Sequence, residues 1–305
     1  MKQSENGVLV VGGTGTVGGA TVRELVKRGA NVRALVRSRA RATGLAPAEL
    51  VEGNVRDVAL VERCLVGVHA AFYVSPHEAD EEELAETFIS ACERRGVRLV
   101  FMGVHVDAKT SLMRFLLRSY FGRLMPSYLP KLRISERARN SKTRPVVLMP
   151  TNFMDNDDLF REEIENGRFL QPFERPFNRV AVRDIAEAAA KVCLDPGFPK
   201  GAYPIVGPRS LDGRACAEVW SEALGRPVSY QVDEAMFEGA LVRGARGKKV
   251  TDVISSYAAI RNIALPTSAK DLRRTTDLLG RPPTSYEDFV RQRVAGEPAR
   301  GVHAA

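Results

Sequence analysis

The stretch Val8 to Arg37, VLVVGGTGTVGGATVRELVKRGANVRALVR, constrains the fold of this chain more than any other. Val8 to Val11 are apolar and read as a buried strand. Gly12, Gly13, Gly15, Gly18 and Gly19 follow within eight positions. The apolar-periodic run from Val17 to Val26 then reads as a helix. Lys27, Arg28 and Gly29 supply the basic last turn and the glycine that stop one. Asn31 to Val36 is the next strand. A strand, a glycine turn, a helix and a second strand form the context that gives a glycine pattern its meaning.

Gly13-x-Gly15-x-x-Gly18 fits the dinucleotide fingerprint. Glycine allows positive φ and leaves no Cβ between backbone and ligand. A pyrophosphate can then rest on the N–H groups at the helix N-terminus. The end of the second strand bears on which dinucleotide. An NAD enzyme usually carries an acid about 20 residues beyond the glycines, bonded to the ribose 2′-hydroxyl. Here Arg37 stands in that place, followed by Ser38, Arg39 and Arg41, and no acid lies between Glu24 and Glu49. A guanidinium suits a 2′-phosphate as a planar charged donor. The residues therefore read as an NADP(H) site.

Strand and helix continue to alternate. Glu49 to Glu52 is a short third strand, and Asp57 is a candidate N-cap for a helix through Val66. Ala70 to Val74 is the fourth strand and Ala79 to Arg95 a helix whose acidic first turn and basic last turn match the helix dipole. Leu99 to Met102 and Val146 to Met149 are the fifth and sixth strands. The pattern predicts an α/β fold, a doubly wound parallel sheet with its ligand crevice at the carboxyl ends of the strands. Those ends carry Gly12 to Gly18, Arg37, Asn54 and Val55, Ser75-Pro76, Gly103 to His105, and Pro150 to Asn152.

Composition excludes several alternatives. With 305 residues there is room for one large domain, or one with a smaller partner. The net charge of +8 is spread along the chain without a helix-turn-helix or zinc spacing, so nucleic acid is not expected. The four cysteines, Cys64, Cys92, Cys193 and Cys216, are far apart and fit a reducing compartment. No run reaches the roughly 18 apolar residues of a membrane span, and the first residues lack a secretory apolar core. The expected location is cytoplasmic, and no metal site is expected.

GGTGTVGG, VRALVR, EGNVRD, YVSP, RLVFMG, LMPTNFMDN, VAVRDIAEAAA, YPIVGP and SEALGRPVSY occur in this order. As a set they resemble NmrA-like proteins, the atypical short-chain dehydrogenase/reductases, over roughly residues 5 to 235. The resemblance implies a Rossmann domain over 1–153, with 179–207 packing back onto it. It also implies a smaller C-terminal subdomain over 154–178 and 208–296, which the sequence there reads as mainly helical, and residues 297–305 are expected to form a disordered tail. It implies that Gly12, Thr14, Gly15, Thr16, Val17 and Gly18 hold the pyrophosphate and Arg37 the 2′-phosphate. Asn54 stands where the family often has Asp near the adenine. Val74, Ser75 and Pro76 would floor the ribose and nicotinamide, and Thr151, Asn152 and Phe153 would flank the nicotinamide.

The catalytic positions depart from the ordinary short-chain pattern. The fifth strand ends Phe101-Met102-Gly103-Val104-His105, with no serine. Lys131, in KLRISE, matches the lysine that NmrA-like enzymes place at the start of the next helix; it is a candidate for the cofactor site and for catalysis, or a solvated helix lysine. Tyr128 is a candidate proton donor or a packing residue. His105 is a second candidate acid, and His77 a third. The apolar, arginine-interrupted stretch Lys109 to Leu129 has three readings: a pocket lid, a dimer contact, or a membrane-surface helix. Two functions follow from the resemblance. One is an NADPH-dependent reductase of a carbonyl or activated C=C in a small, largely apolar substrate. The other is a non-catalytic NADP(H) sensor. Either would act as a monomer or homodimer.

Overall fold

A computed structural model describes residues 7–75, 78–105, 129–244, 248–262 and 267–296. Pro76, His77, Tyr128 and nearly all of Lys109 to Leu129 lie outside those residues, as does the expected tail 297–305. The described residues fall into two compact units. The first holds 7–104, 129–150 and 182–204, and the second 105, 151–181 and the remainder from 205 onward.

The first unit is built on a seven-stranded sheet flanked by helices. Its strands are β1 (Gly7–Val11), β2 (Asn31–Val36), β3 (Glu49–Glu52), β4 (Val68–Val74), β5 (Arg98–Met102), β6 (Val146–Pro150) and β10 (Gly201–Ile205). Their order is β10-β6-β5-β4-β1-β2-β3, and the pairs from β3 through β6 are parallel. Order reverses at β1, the point where dinucleotides bind in such sheets. Strands buried on both faces read as continuous apolar runs. Val8 to Val10 and Ala70 to Tyr73 are accordingly fully buried. Helix α1 (Thr16–Lys27) packs on α6 (Val182–Leu194). On the other side α2 (Val58–Cys64), α3 (Glu81–Arg95) and α4 (Leu129–Arg139) close a core centred on Tyr73, Phe88, Ile89 and Phe101.

The strand count and two boundaries differ from the expectation. The sheet gains a seventh strand, β10, because Tyr203-Pro204-Ile205 extends its edge beside β6, where the Gly201 amide donates to Pro145 O at 3.0 Å. Residues 151–153 fall in the second unit, since β7 (Asn152–Phe153) pairs with β9 (Phe177–Val180). Only 182–204 of the expected 179–207 segment belongs to the first unit.

The second unit has two small sheets. One joins β7, β9 and β11 (Ser210–Leu211), and the other pairs β8 (Arg168–Leu170) with β12 (Ser229–Gln231). Its helices are α5 (Arg161–Glu165), α7 (Gly213–Leu224), α8 (Glu234–Gly244), α9 (Lys248–Asn262), α10 (Ala269–Leu279) and α11 (Tyr286–Val294). Its interior is partly polar. Arg179, on β9, is buried; Nη1 donates to Asp157 Oδ1 at 3.3 Å and Nη2 to Gln171 Oε1 at 2.6 Å. The guanidinium lies 4.4 Å from the Phe177 ring centroid. Tyr286 donates its hydroxyl to Asp157 and receives Trp220 Nε1–H at 3.0 Å. Breaking a buried ion pair from one side leaves an uncompensated charge. Arg179→Met is therefore expected to cost about 3–5 kcal/mol of stability, read as a lower denaturant midpoint; a change within 0.5 kcal/mol would show that Asp157 does not depend on this arginine.

Candidate active site

The glycine turn is fixed by contacts that allow no side chain. Gly12 has φ +78°, the left-handed region, at the end of β1. The Gly15 amide donates to Gly12 O at 2.9 Å and closes the turn. A Cβ on Gly18 would stand 2.1 Å from that same oxygen, so α1 rests directly on the turn. A Cβ on Gly12 would lie 3.6 Å from Val74 Cβ, which places the end of β4 against it. Gly15 is the N-cap of α1 and supplies no side-chain cap, and the first turn holds no acid. Gly15 is exposed at the tip, with Thr14 and Thr16 half-buried beside it and Val17 buried. A helix start of this kind leaves backbone donors and the positive dipole end to a bound anion. The residues present thus fit a pyrophosphate.

Arg37 follows β2 and is largely exposed, with Nη1 3.1 Å from Glu78 Oε1. The other carboxylate oxygen of Glu78 accepts from Arg56 Nη2 at 2.6 Å. Arg56 also pairs with Asp80 at 2.7 Å. Glu78 and Asp80 raise the pKa of Arg56 through these hydrogen bonds. The Arg56 amide donates to Asn54 Oδ1 at 3.1 Å, so Asn54 shapes the loop after β3, and Val55 is buried beneath it. Asp57 caps α2 by accepting from the Leu60 amide at 2.9 Å.

Lys131 lies in the first turn of α4, directly after Pro130, a position where a helix tolerates proline. Its Nζ donates to Glu81 Oε2 at 3.1 Å. Glu81 opens α3 and is buried, and the same oxygen accepts from Ser75 Oγ at 3.2 Å. One turn beyond Lys131, Ser135 Oγ would lie 3.0 Å from a Cβ on Gly103, the residue after β5. That hydroxyl is buried and has no hydrogen-bond partner among the described residues. The rest of α4 is tied to α3. Arg133 reaches Glu82 at 2.9 Å, and Arg137 reaches Glu86 at 2.7 Å and Glu93 at 3.0 Å. The Arg137 guanidinium beside it, assisted by the Lys142 amide and Ser141, overcomes burial and holds the Glu93 carboxyl down at about 2.

The first unit therefore brings together the glycine turn with Val74, Arg37 with the Asn54 loop, and Ser75 with Lys131. The other sequence-derived candidates belong to the second unit. The Thr151 hydroxyl donates to Asn178 Oδ1 at 2.9 Å, and the Asn152 side chain accepts from Asn156 at 3.3 Å. Phe153 ends β7 and is half-buried. His105 is buried with Nε2 4.0 Å from Asp271 Oδ2, the residue that closes the capping box of α10. Pro76, His77 and Tyr128 lie outside the described residues. Sequence reasoning missed Glu78, Glu81 and Ser135. Glu81 was legible only as an acid in the first turn of a helix; its partners are 50 positions away at Lys131 and 6 away at Ser75.

The model of the NmrA-like family matches residues 4–254. The chain belongs to this family. An NAD(P)H azoreductase of Xenophilus azovorans is 27% identical over 298 residues, covering 94% of this chain and 98% of that protein. The triphenylmethane reductase of a Citrobacter species, solved with NADP(H), superposes with a TM-score of 0.76 at 20% identity, covering 93% of this chain and 99% of that one. NmrA, a negative transcriptional regulator solved with NADP, superposes at 0.70 with 16% identity over 96% of each chain. The NmrA-like fold therefore occurs in both reductases and a regulator.

In this NmrA-like chain the Glu93–Arg137 pair makes α4 sensitive to acid. A carboxyl held below its ordinary value of about 4.5 contributes stability that is present above that value and lost as pH falls through about 2. Glu93→Gln should remove roughly 1 kcal/mol at neutral pH and flatten the stability loss between about pH 4.5 and 2. Urea midpoints measured across that range test this; parallel curves for parent and variant would refute it.

Proposed function

We propose that this protein is an NADPH-dependent reductase that delivers hydride to a carbonyl or activated C=C of a small, largely apolar substrate. The observation carrying the proposal is one unit that holds both a glycine-turned helix start and a lysine fixed on a buried carboxylate. The reductase names of the azoreductase and triphenylmethane reductase relatives support it. Bound nicotinamide would supply the hydride. The chain's residues would do the rest. The α1 start and turn would take the pyrophosphate, and Arg37 the 2′-phosphate. Lys131 would place a positive charge near the reacting oxygen and favour the negative charge that develops there. Glu81 would fix its position, with Ser75 holding Glu81 in turn. Four buried, unbridged cysteines fit a reducing, cytoplasmic setting for this activity.

The likeness to the regulator NmrA favours the second reading, an NADP(H) sensor without turnover. The two readings separate by experiment. NADPH should bind at least tenfold tighter than NADH, about 1.4 kcal/mol, and Arg37→Glu should abolish or reverse that preference. Equal affinities in the parent protein would defeat the cofactor assignment. The protein should also oxidise NADPH with some member of a panel of quinones, enones and apolar ketones. Lys131→Met should lower that turnover by about tenfold or more, since a lost stabilising charge at the reacting oxygen typically costs 100- to 1000-fold. NADPH titrations of the variant separate lost positioning from lost catalysis. Tight NADPH binding with no oxidation above buffer, and Lys131→Met altering affinity alone, would favour the sensor.

A further inference from the structure

We propose that Glu78 is a built-in competitor for the cofactor's 2′-phosphate and so limits how strongly the protein discriminates NADPH from NADH. The inference rests on the cofactor reading above and deepens it. Its basis is the way one carboxylate is spent. Glu78 Oε1 takes Arg37 at 3.1 Å and Glu78 Oε2 takes Arg56 at 2.6 Å. An anion spanning two guanidinium groups is the arrangement a phosphate makes. Glu78 is thus placed where it mimics the group Arg37 would recognise.

The neighbouring residues make Glu78 a persistent occupant. Arg56 is itself fixed from the other side, by Asp80 at 2.7 Å and by its amide on Asn54 at 3.1 Å. It therefore presents a stationary cation to Glu78. The Glu78 carbonyl in turn accepts from the Glu81 amide at 3.2 Å, at the start of α3. Arg37 has more freedom, since its side chain is 66% exposed against 25% for Glu78. Arg37 can then exchange partners while Glu78 stays on Arg56.

The consequence differs between the two cofactors. A 2′-phosphate carries more charge than a carboxylate and can displace Glu78 from Arg37, but part of its binding energy offsets the pair it breaks. NADH presents a neutral 2′-hydroxyl and has no such exchange to make. Removing the Glu78 charge should therefore favour NADPH selectively.

The test is the ratio of NADPH to NADH affinity, measured by titration on the full chain. Using a ratio cancels any change in the loop that affects both cofactors alike. Glu78→Gln should raise it by about threefold or more, the scale of a solvent-exposed ion pair. In an Arg37→Met background Glu78→Gln should raise the ratio less than it does in the parent, because Arg37 is the cation that Glu78 withholds. A ratio that stays the same or falls in Glu78→Gln, while Arg37→Met lowers it, would overturn this proposal and leave the cofactor reading standing. A parent ratio near one that neither substitution alters would defeat the cofactor reading, and this proposal with it.

Discussion

The first unit depends on a close approach of two backbones. Gly18 passes so near Gly12 O that even a methyl group would stand 2.1 Å from it. This approach fixes where α1 begins relative to β1. Because β1 has β2 on one side and β4 on the other, the ends of those strands are placed by the same contact. Val74 meets the turn directly, and a Cβ on Gly13 would stand 3.1 Å from Ala34 Cβ on β2. The free helix start is thus a product of packing. Glycine is required at 18 by the backbone it rests on, and at 12 by a positive φ.

The second organising feature is α3 and the loop before it. Its acids meet cations from three different elements. Glu78 takes Arg37 after β2 and Arg56 after β3, and Glu81 takes Lys131 of α4. Glu82, Glu86 and Glu93 continue along α4 through Arg133 and Arg137. Exposed pairs of this sort add little individually. Their combined effect is positional. They hold α4 in register with α3, and so set where Lys131 stands beside Glu81.

What could be read in the sequence follows from range. The glycine turn, its strands and its helix are contiguous, and their periodicity and capping are local, so the dinucleotide unit was legible from Val8 to Arg37 and the parallel sheet from the alternation of strand and helix that follows. The second unit's polar interior was not. Asp157 and Tyr286 are 129 positions apart, and Arg179 reads locally as one basic residue in a strand. The division after Pro150 was hidden for the same reason. β7 is two residues long and is defined by its pairing with β9, which no local pattern announces. Among the candidate residues, Lys131 was nominated through family position, whereas its contact with Glu81 needed the fold to bring α3 beside α4.

The Lys131–Glu81 pair also limits the chemistry open to Lys131. Glu81 is buried, and a carboxylate there depends on a cation beside it. Were Lys131 to surrender its proton to a substrate, Glu81 would be left charged and without its ammonium, a state that costs several kcal/mol in a buried site. Ser75 Oγ, at 3.2 Å, donates one hydrogen bond and cannot replace a positive charge. In the proposed reaction Lys131 would therefore serve better as a fixed charge held on Glu81 than as the proton donor. The proton that completes reduction must then come from water or from another side chain. On that reading Lys131 would supply electrostatic stabilisation, and proton delivery would fall to a separate group.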